Sequence, residues 1–192
     1  MIEVRFHGRG GQGTVVASEI LASAFFSEGK FVQAFPTFGV ERRGAPVAAF
    51  LRCSDAPIRL RCQIETPDHV VILDPTLIAT VDVTAGLKTA GWILVNSDRK
   101  PDRFTQFERG GWRVATVDAG RIAFENHLGS RTNPIVNTAV LGAFARVTGL
   151  LRLESVLVAV REGVPVRPEK NVNAAQQAFE AVVLPIVEEV GG

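Results

Sequence analysis

Cysteine is scarce: the chain of 192 residues carries two, Cys53 and Cys62. A disulfide framework is thereby excluded. An iron–sulfur cluster normally takes about four thiolates, so the chain cannot hold a standard one alone. Histidine is almost as sparse, and His7, His69 and His127 lie too far apart to show metal-ligand spacing, so each reads as structural. No G-x-S-x-G elbow or comparable nucleophile motif is present, and the acidic residues fall in turns without any pairing. No catalytic constellation is legible. Apolar runs stay well below the roughly 18 residues needed to cross a bilayer. The opening Met1-Ile2-Glu3-Val4-Arg5-Phe6 alternates like a strand rather than like a leader, so a cytosolic location is expected, with no membrane association. Concentrated positive charge is also missing: the 17 Arg and 4 Lys are scattered, Arg42-Arg43 being the tightest cluster. With a net charge of +1, this argues against a nucleic-acid-binding face.

What is present is an ordinary globular composition, 46% apolar and 21% charged, which makes disorder a poor reading. The length suits one domain spanning residues 1–192. Apolar runs predict strands at 2–6, 31–35, 46–51, 70–73, 92–95 and 114–117. Helical spacing predicts helices at 14–27, 137–148, 154–162 and 174–190, the last kinked at Pro185 at a cost of about 3 kcal/mol. Strands alternating with helices imply an α/β fold: a mainly parallel, or mixed, sheet with helices on both faces and a Rossmann-like N-terminal strand–glycine loop–helix. A hairpin at Ser54-Asp55-Ala56-Pro57 would supply the antiparallel part. In such sheets ligands sit beyond the carboxyl ends of the strands, where the glycine loop, Asp74, Asn96 and Asp118 would fall.

The loop Gly8-Arg9-Gly10-Gly11-Gln12-Gly13, followed by Thr14, is the first candidate site. Glycines permit a tight turn and close approach, and a helix N-terminus offers free N–H groups to an anion. The pattern also satisfies the G-x-G-x-x-G dinucleotide fingerprint. The ribose-binding acid expected about 20 residues on is absent, however, since that stretch reads Lys30-Phe31-Val32-Gln33-Ala34-Phe35. An anion site, a NAD or FAD site and a bare turn all stay open on the residues alone. The second candidate is the connection containing Phe35, Phe38, Glu41, Arg42 and Arg43. Aromatics and Arg concentrated between glycines and prolines suit a docking surface.

These segments together resemble the gamma subunit of 2-oxoacid:ferredoxin oxidoreductases of the pyruvate and ketoisovalerate type. The resemblance rests on Gly8–Gly13, then Gly39-Val40-Glu41-Arg42-Arg43-Gly44, then Asn137-Thr138-Ala139-Val140-Leu141-Gly142-Ala143, and more weakly on Lys170-Asn171-Val172-Asn173-Ala174-Ala175. They stand in family order along nearly the whole chain. The resemblance implies oxidative decarboxylation of a 2-oxoacid such as pyruvate to an acyl-CoA, with electrons passed to ferredoxin. It implies further that thiamine diphosphate and the iron–sulfur clusters belong to alpha, beta and delta subunits. This chain would bind no cofactor alone and would be inactive alone, contacting CoA only within the complex. The alternatives are a stand-alone NAD- or FAD-dependent oxidoreductase and a pure assembly scaffold.

Overall fold

The computed structural model describes residues 1–37 and 43–185, without the side chains of 108 and 109. Its strands are β1 (Ile2–Arg9), β2 (Phe31–Pro36), β3 (Pro46–Ser54), β4 (His69–Ile72), β5 (Trp92–Asn96) and β6 (Arg113–Val117). They form one sheet in the order β2-β3-β1-β4-β5-β6. β1 pairs parallel with β4, and β4–β5 and β5–β6 continue parallel; β3 is antiparallel to both β1 and β2. The mixed sheet is therefore confirmed, but the antiparallel partner differs from the expected one. No strand follows the turn at Ser54; instead β2 and β3 form the antiparallel pair, and the backbone carbonyls of Ile58 and Leu60 accept from the Gln33 side chain.

Five α-helices are described: α1 (Thr14–Ser27), α2 (Ala119–Glu125), α3 (Ala139–Thr148), α4 (Leu153–Gly163) and α5 (Pro168–Ala181). None is long and apolar enough to cross a membrane. All five contribute to one core against Val4, Phe6, Leu51, Val71, Leu94 and Val117, side chains of one sheet face. The alternate residues Val70, Ile72, Ile93 and Val95 face the other way. There they pack on Leu77, Val83, Phe104 and Phe107 from short 3-10 helices and loops. Helices thus cover both faces, α on one side and 3-10 on the other.

Over β1 and β3 the second face is polar, and this fixes the overlying loops. Arg52, 1% exposed, pairs with Glu3 directly opposite it across the strands at 2.8 Å and donates to the carbonyls of Cys62 and Gln63. Arg5 likewise donates to the carbonyls of Val83 and Ala85. A buried charge needs such partners, because leaving it unpaired costs several kcal/mol.

Two helix expectations are corrected. α2, capped by Asp118 accepting from Arg121 N–H at 2.9 Å, is too short for a periodic signal to reveal. α5 begins at Pro168, where the missing N–H costs nothing, and stops at Ala181. The predicted stripe ran on through Val182 and Val183. Val182 instead has ψ 134, and Val183 exchanges backbone hydrogen bonds with Thr116 at 3.0 and 2.8 Å. Pro185 therefore lies beyond the helix and kinks nothing; residues 186–190 of the expected helix are outside the described residues.

The histidines of the sheet are structural, as expected. His69 Nδ1 accepts from Trp92 N–H, and His7 Nε2 accepts from Arg5 Nε. Burial, reinforced by the Arg5 charge, pushes the His7 pKa down to about 4. Burial does the same for His69, to about 4, against the attraction of Asp68. Each histidine is thus neutral when folded and takes up a proton on unfolding between pH 6.5 and about 4. Stability should fall as pH drops through that window, at about 1.4 kcal/mol per pH unit for each group. Urea titrations of wild type and His69→Asn, whose Oδ1 can replace Nδ1, should show the slope roughly halved in the variant.

Candidate functional site

Because β1, β4, β5 and β6 run parallel, their carboxyl ends share one edge of the sheet. At that edge β1 gives way to α1 through a turn that glycine makes possible. Gly10 N–H donates to Ala45 O, and Gly44 N–H returns a bond to Gly10 O, so the stretch around Arg43 runs alongside the loop. Gly11 then adopts φ 91 and Gly13 φ 75, both left-handed. Gly13 caps α1, and the first helical bond is Ala17 N–H to Gly13 O at 2.9 Å. At Gly8 the reason is contact rather than torsion, since a Cβ there would stand 2.1 Å from Thr14 Oγ1. At Gly13 both reasons apply, since a Cβ would lie 2.5 Å from Asn137 Nδ2.

Side chains lock the turn from beneath. Gln12 Oε1 accepts from Arg9 N–H at 2.8 Å, while its Nε2 donates to Asp74 Oδ2 at 3.0 Å. Arg9 donates from Nε to the same Oδ2 (3.1 Å), from Nη1 to Gly44 O and from Nη2 to Thr76 Oγ1. Thr76 in turn donates both its N–H and its hydroxyl to Asp74 Oδ1. Burial alone would raise the Asp74 pKa, but the hydrogen bonds from Thr76 and Gln12 and the Arg9 charge together hold it below the usual carboxylate range. Asp74 therefore stays ionised, and all three Arg9 nitrogens are directed at protein groups.

A cavity of about 510 Å³ opens beside this turn, between Gly11, Gly13 and the first turn of α1 on one side and Pro36, Thr37 and Val47 on the other. α1 carries no side-chain cap and no acidic residue in its first turn. Its leading N–H groups and the positive end of its dipole thus remain available to an anion. Thr14 Oγ1 is the one buried side-chain polar atom without a partner among the described residues. Arg43 is exposed, and its side chain approaches Gly11. The arrangement offers donors and positive potential, which suits retention of a phosphate-like group. Dinucleotide geometry fits less well. Both β2 and β3 are antiparallel in this part of the sheet, and β2 is separated from β1 by β3, so no parallel second strand lies beside β1 to present a ribose ligand.

A family model described as pyruvate ferredoxin/flavodoxin oxidoreductase matches residues 3–181. The chain belongs to this family. It is 55% identical over 186 residues to the pyruvate/ketoisovalerate oxidoreductases common subunit gamma of Thermococcus kodakarensis, covering 96% of this chain and 98% of that one. The crystal structure of pyruvate oxidoreductase subunit PORC from Thermotoga maritima superposes with a TM-score of 0.79 at 34% identity, over 96% and 98% of the two chains. A 2-oxoglutarate:ferredoxin oxidoreductase from Magnetococcus marinus, solved with 2-oxoglutarate, coenzyme A and succinyl-CoA bound, shares the fold (TM-score 0.68, 20% identity). It aligns with 93% of this chain over 30% of its own length. The expected subunit type is thereby borne out: this is a gamma-type chain of a multisubunit 2-oxoacid oxidoreductase, and other subunits are its partners.

The sequence-predicted residues divide in space. Gly8, Arg9, Gly10, Gly11, Gln12, Gly13 and Thr14 form the turn. Of the second set, Arg43 joins it, whereas half-buried Phe35 packs internally, its ring 5.3 Å from that of Phe50 and 5.4 Å from the Arg52 guanidinium. Phe38, Glu41 and Arg42 lie outside the described residues. Asp74 was legible as a polar strand end, but its role as shared acceptor needed the β1–β4 pairing. Asn96 and Asp118, at the same edge, are used as local acceptors for Gly120 and Arg121. Among the described residues no group of three His, Cys, Asp or Glu side chains is placed to hold a metal.

Gly8→Ala should force Thr14 and the first turn of α1 outward. We expect a loss of about 1–3 kcal/mol, as for other overpacked sites, read as a melting temperature lower by about 2–9 °C. A wild-type melting curve would show that the turn yields freely.

Proposed function

We propose that this gamma-type chain supplies the phosphate-binding part of the CoA site in a 2-oxoacid:ferredoxin oxidoreductase that converts a 2-oxoacid such as pyruvate to an acyl-CoA. The observation that carries the reading is the uncapped N-terminus of α1, set behind two left-handed glycines and facing an open cavity. CoA is a polyanion, and backbone N–H groups at a helix start are a recurrent phosphate cradle. Thiamine diphosphate and the iron–sulfur clusters are assigned to alpha, beta and delta-type partners, with ferredoxin the electron acceptor. This chain's own residues bind and orient; they carry no proton or acyl group.

Arg9 takes a different part from the one its position suggests. Its guanidinium is neutralised by Asp74, so it shapes the loop and contributes little free charge. Gly13 governs both the left-handed turn and the approach of Asn137. In reconstituted complex, Gly13→Val should raise the Michaelis constant for CoA by more than Arg9→Ala does. We expect at least about tenfold for Gly13→Val, equivalent to about 1.4 kcal/mol. Reduction of the complex by 2-oxoacid in the absence of CoA should stay near wild type. Normal assembly with wild-type CoA dependence in both variants would instead make the loop a tight turn and the chain a scaffold.

A further inference from the structure

Three separated stretches of the family pattern meet beside Gly13, and the loop's own chemistry uses only the first. Asn137 is 7% exposed, and its Oδ1 accepts from Thr138 N–H at 3.0 Å. That bond assigns the other end of the amide, so Nδ2 lies against Gly13, without a partner among the described residues. Thr138 donates its hydroxyl to Asn171 Oδ1 at 2.8 Å. Asn171 Nδ2 donates to the carbonyls of Val166 and Arg167 at 3.2 and 3.0 Å. Arg167 is left-handed at φ 54 and donates to the carbonyl of His127, itself left-handed at φ 57. Sparsely populated backbone of this kind persists where the surroundings over-determine it, and it gathers at functional sites.

What this network frames is a cavity of about 350 Å³. Its apolar walls include Val16, Leu128, Ile135, Val164 and Val166. Val16 also lines the loop cavity, and Asn137 links the two through Gly13. Ile135 and Val166 are 48% and 66% exposed, an unusual outlay of apolar surface around a hollow that begins at an anion-binding turn.

We propose that this cavity receives the pantetheine arm of CoA, with Asn137 Nδ2 donating to one of its amide carbonyls. The inference rests on the reading of the glycine loop as the CoA phosphate site. The chemistry matches: methylenes and gem-dimethyl carbons interrupted by amides suit apolar walls carrying one unpaired amide donor. The order matches as well, since the arm begins at the pyrophosphate and the cavity begins at the turn that would hold it.

The test uses the assembled complex with Val166→Asp and Ile135→Asp, both at exposed positions where folding tolerates a charge. Two probes are compared: CoA, and adenosine 3′-phosphate 5′-diphosphate, an inhibitor that keeps the phosphates but lacks the arm. Each variant should raise the Michaelis constant for CoA about tenfold or more, because a carboxylate is buried against the arm. Inhibition by the armless fragment should remain at wild-type strength. Asn137→Asp should behave like them, while Gly13→Val should weaken both probes. Wild-type CoA dependence in the Val166 and Ile135 variants, with Gly13→Val still impaired, overturns the arm assignment and leaves the loop reading standing. Weakened subunit association at unchanged CoA dependence overturns it in favour of a subunit contact. Undiminished fragment inhibition in Gly13→Val would overturn the loop reading and this inference with it.

Discussion

The close passage of the first turn of α1 over the end of β1 is the constraint on which the rest of the site depends. Thr14 Oγ1 rests where a Cβ of Gly8 would be, and Asn137 Nδ2 rests where a Cβ of Gly13 would be. With side chains at either position the helix would have to lift away from the sheet. Its N-terminus would then no longer be aimed at the cavity, and α3, which follows Asn137, would lose its seat beside the loop. The glycines are thus needed for two reasons: left-handed torsion at Gly11 and Gly13, and sheer proximity at Gly8 and Gly13.

Electrostatics around the turn are arranged so that the backbone supplies the attraction. Asp74 accepts from Arg9, Gln12 and Thr76, and the pair Arg9–Asp74 cancels as a charge while rigidifying the loop. What remains is the helix dipole and the unsatisfied N–H groups of α1, together with exposed Arg43. Such donors need no reorganisation when an anion arrives, and they are directional where a flexible cation would not be. The isolated chain presents one wall of a site, in keeping with a gamma-type subunit whose partners complete it.

The convergence of family segments gives the resemblance a physical basis. The first, second and third segments touch at Gly10–Arg43 and Gly13–Asn137, and the fourth joins through Thr138–Asn171. Each segment is unremarkable alone; together they build a turn, its support and an adjoining hollow. Membership of the pyruvate ferredoxin/flavodoxin oxidoreductase family therefore reflects a shared local construction and not merely a shared sheet.

Local sequence determined what local physics controls. Buried strands announced themselves as apolar runs ended by polar residues. α1 was readable to the residue, because a glycine turn starts it and Gly29 follows its end. The glycine loop was legible as an anion-binding turn, since φ preference and helix-end N–H groups are properties of the segment itself. Tertiary structure decided the rest, wherever one segment's choice depended on another. The antiparallel strands were paired by cross-strand contacts such as Glu3–Arg52, not by the turn at Ser54. α5 stopped at Ala181 because Val183 found a backbone partner in Thr116, against a helical stripe that continued. Arg9 was drawn from ligand to scaffold because Asp74 lies beside it only once β1 and β4 pair. Asn137, 124 residues beyond Gly13 in the chain, became part of the site through the packing of α3, which no local pattern encodes.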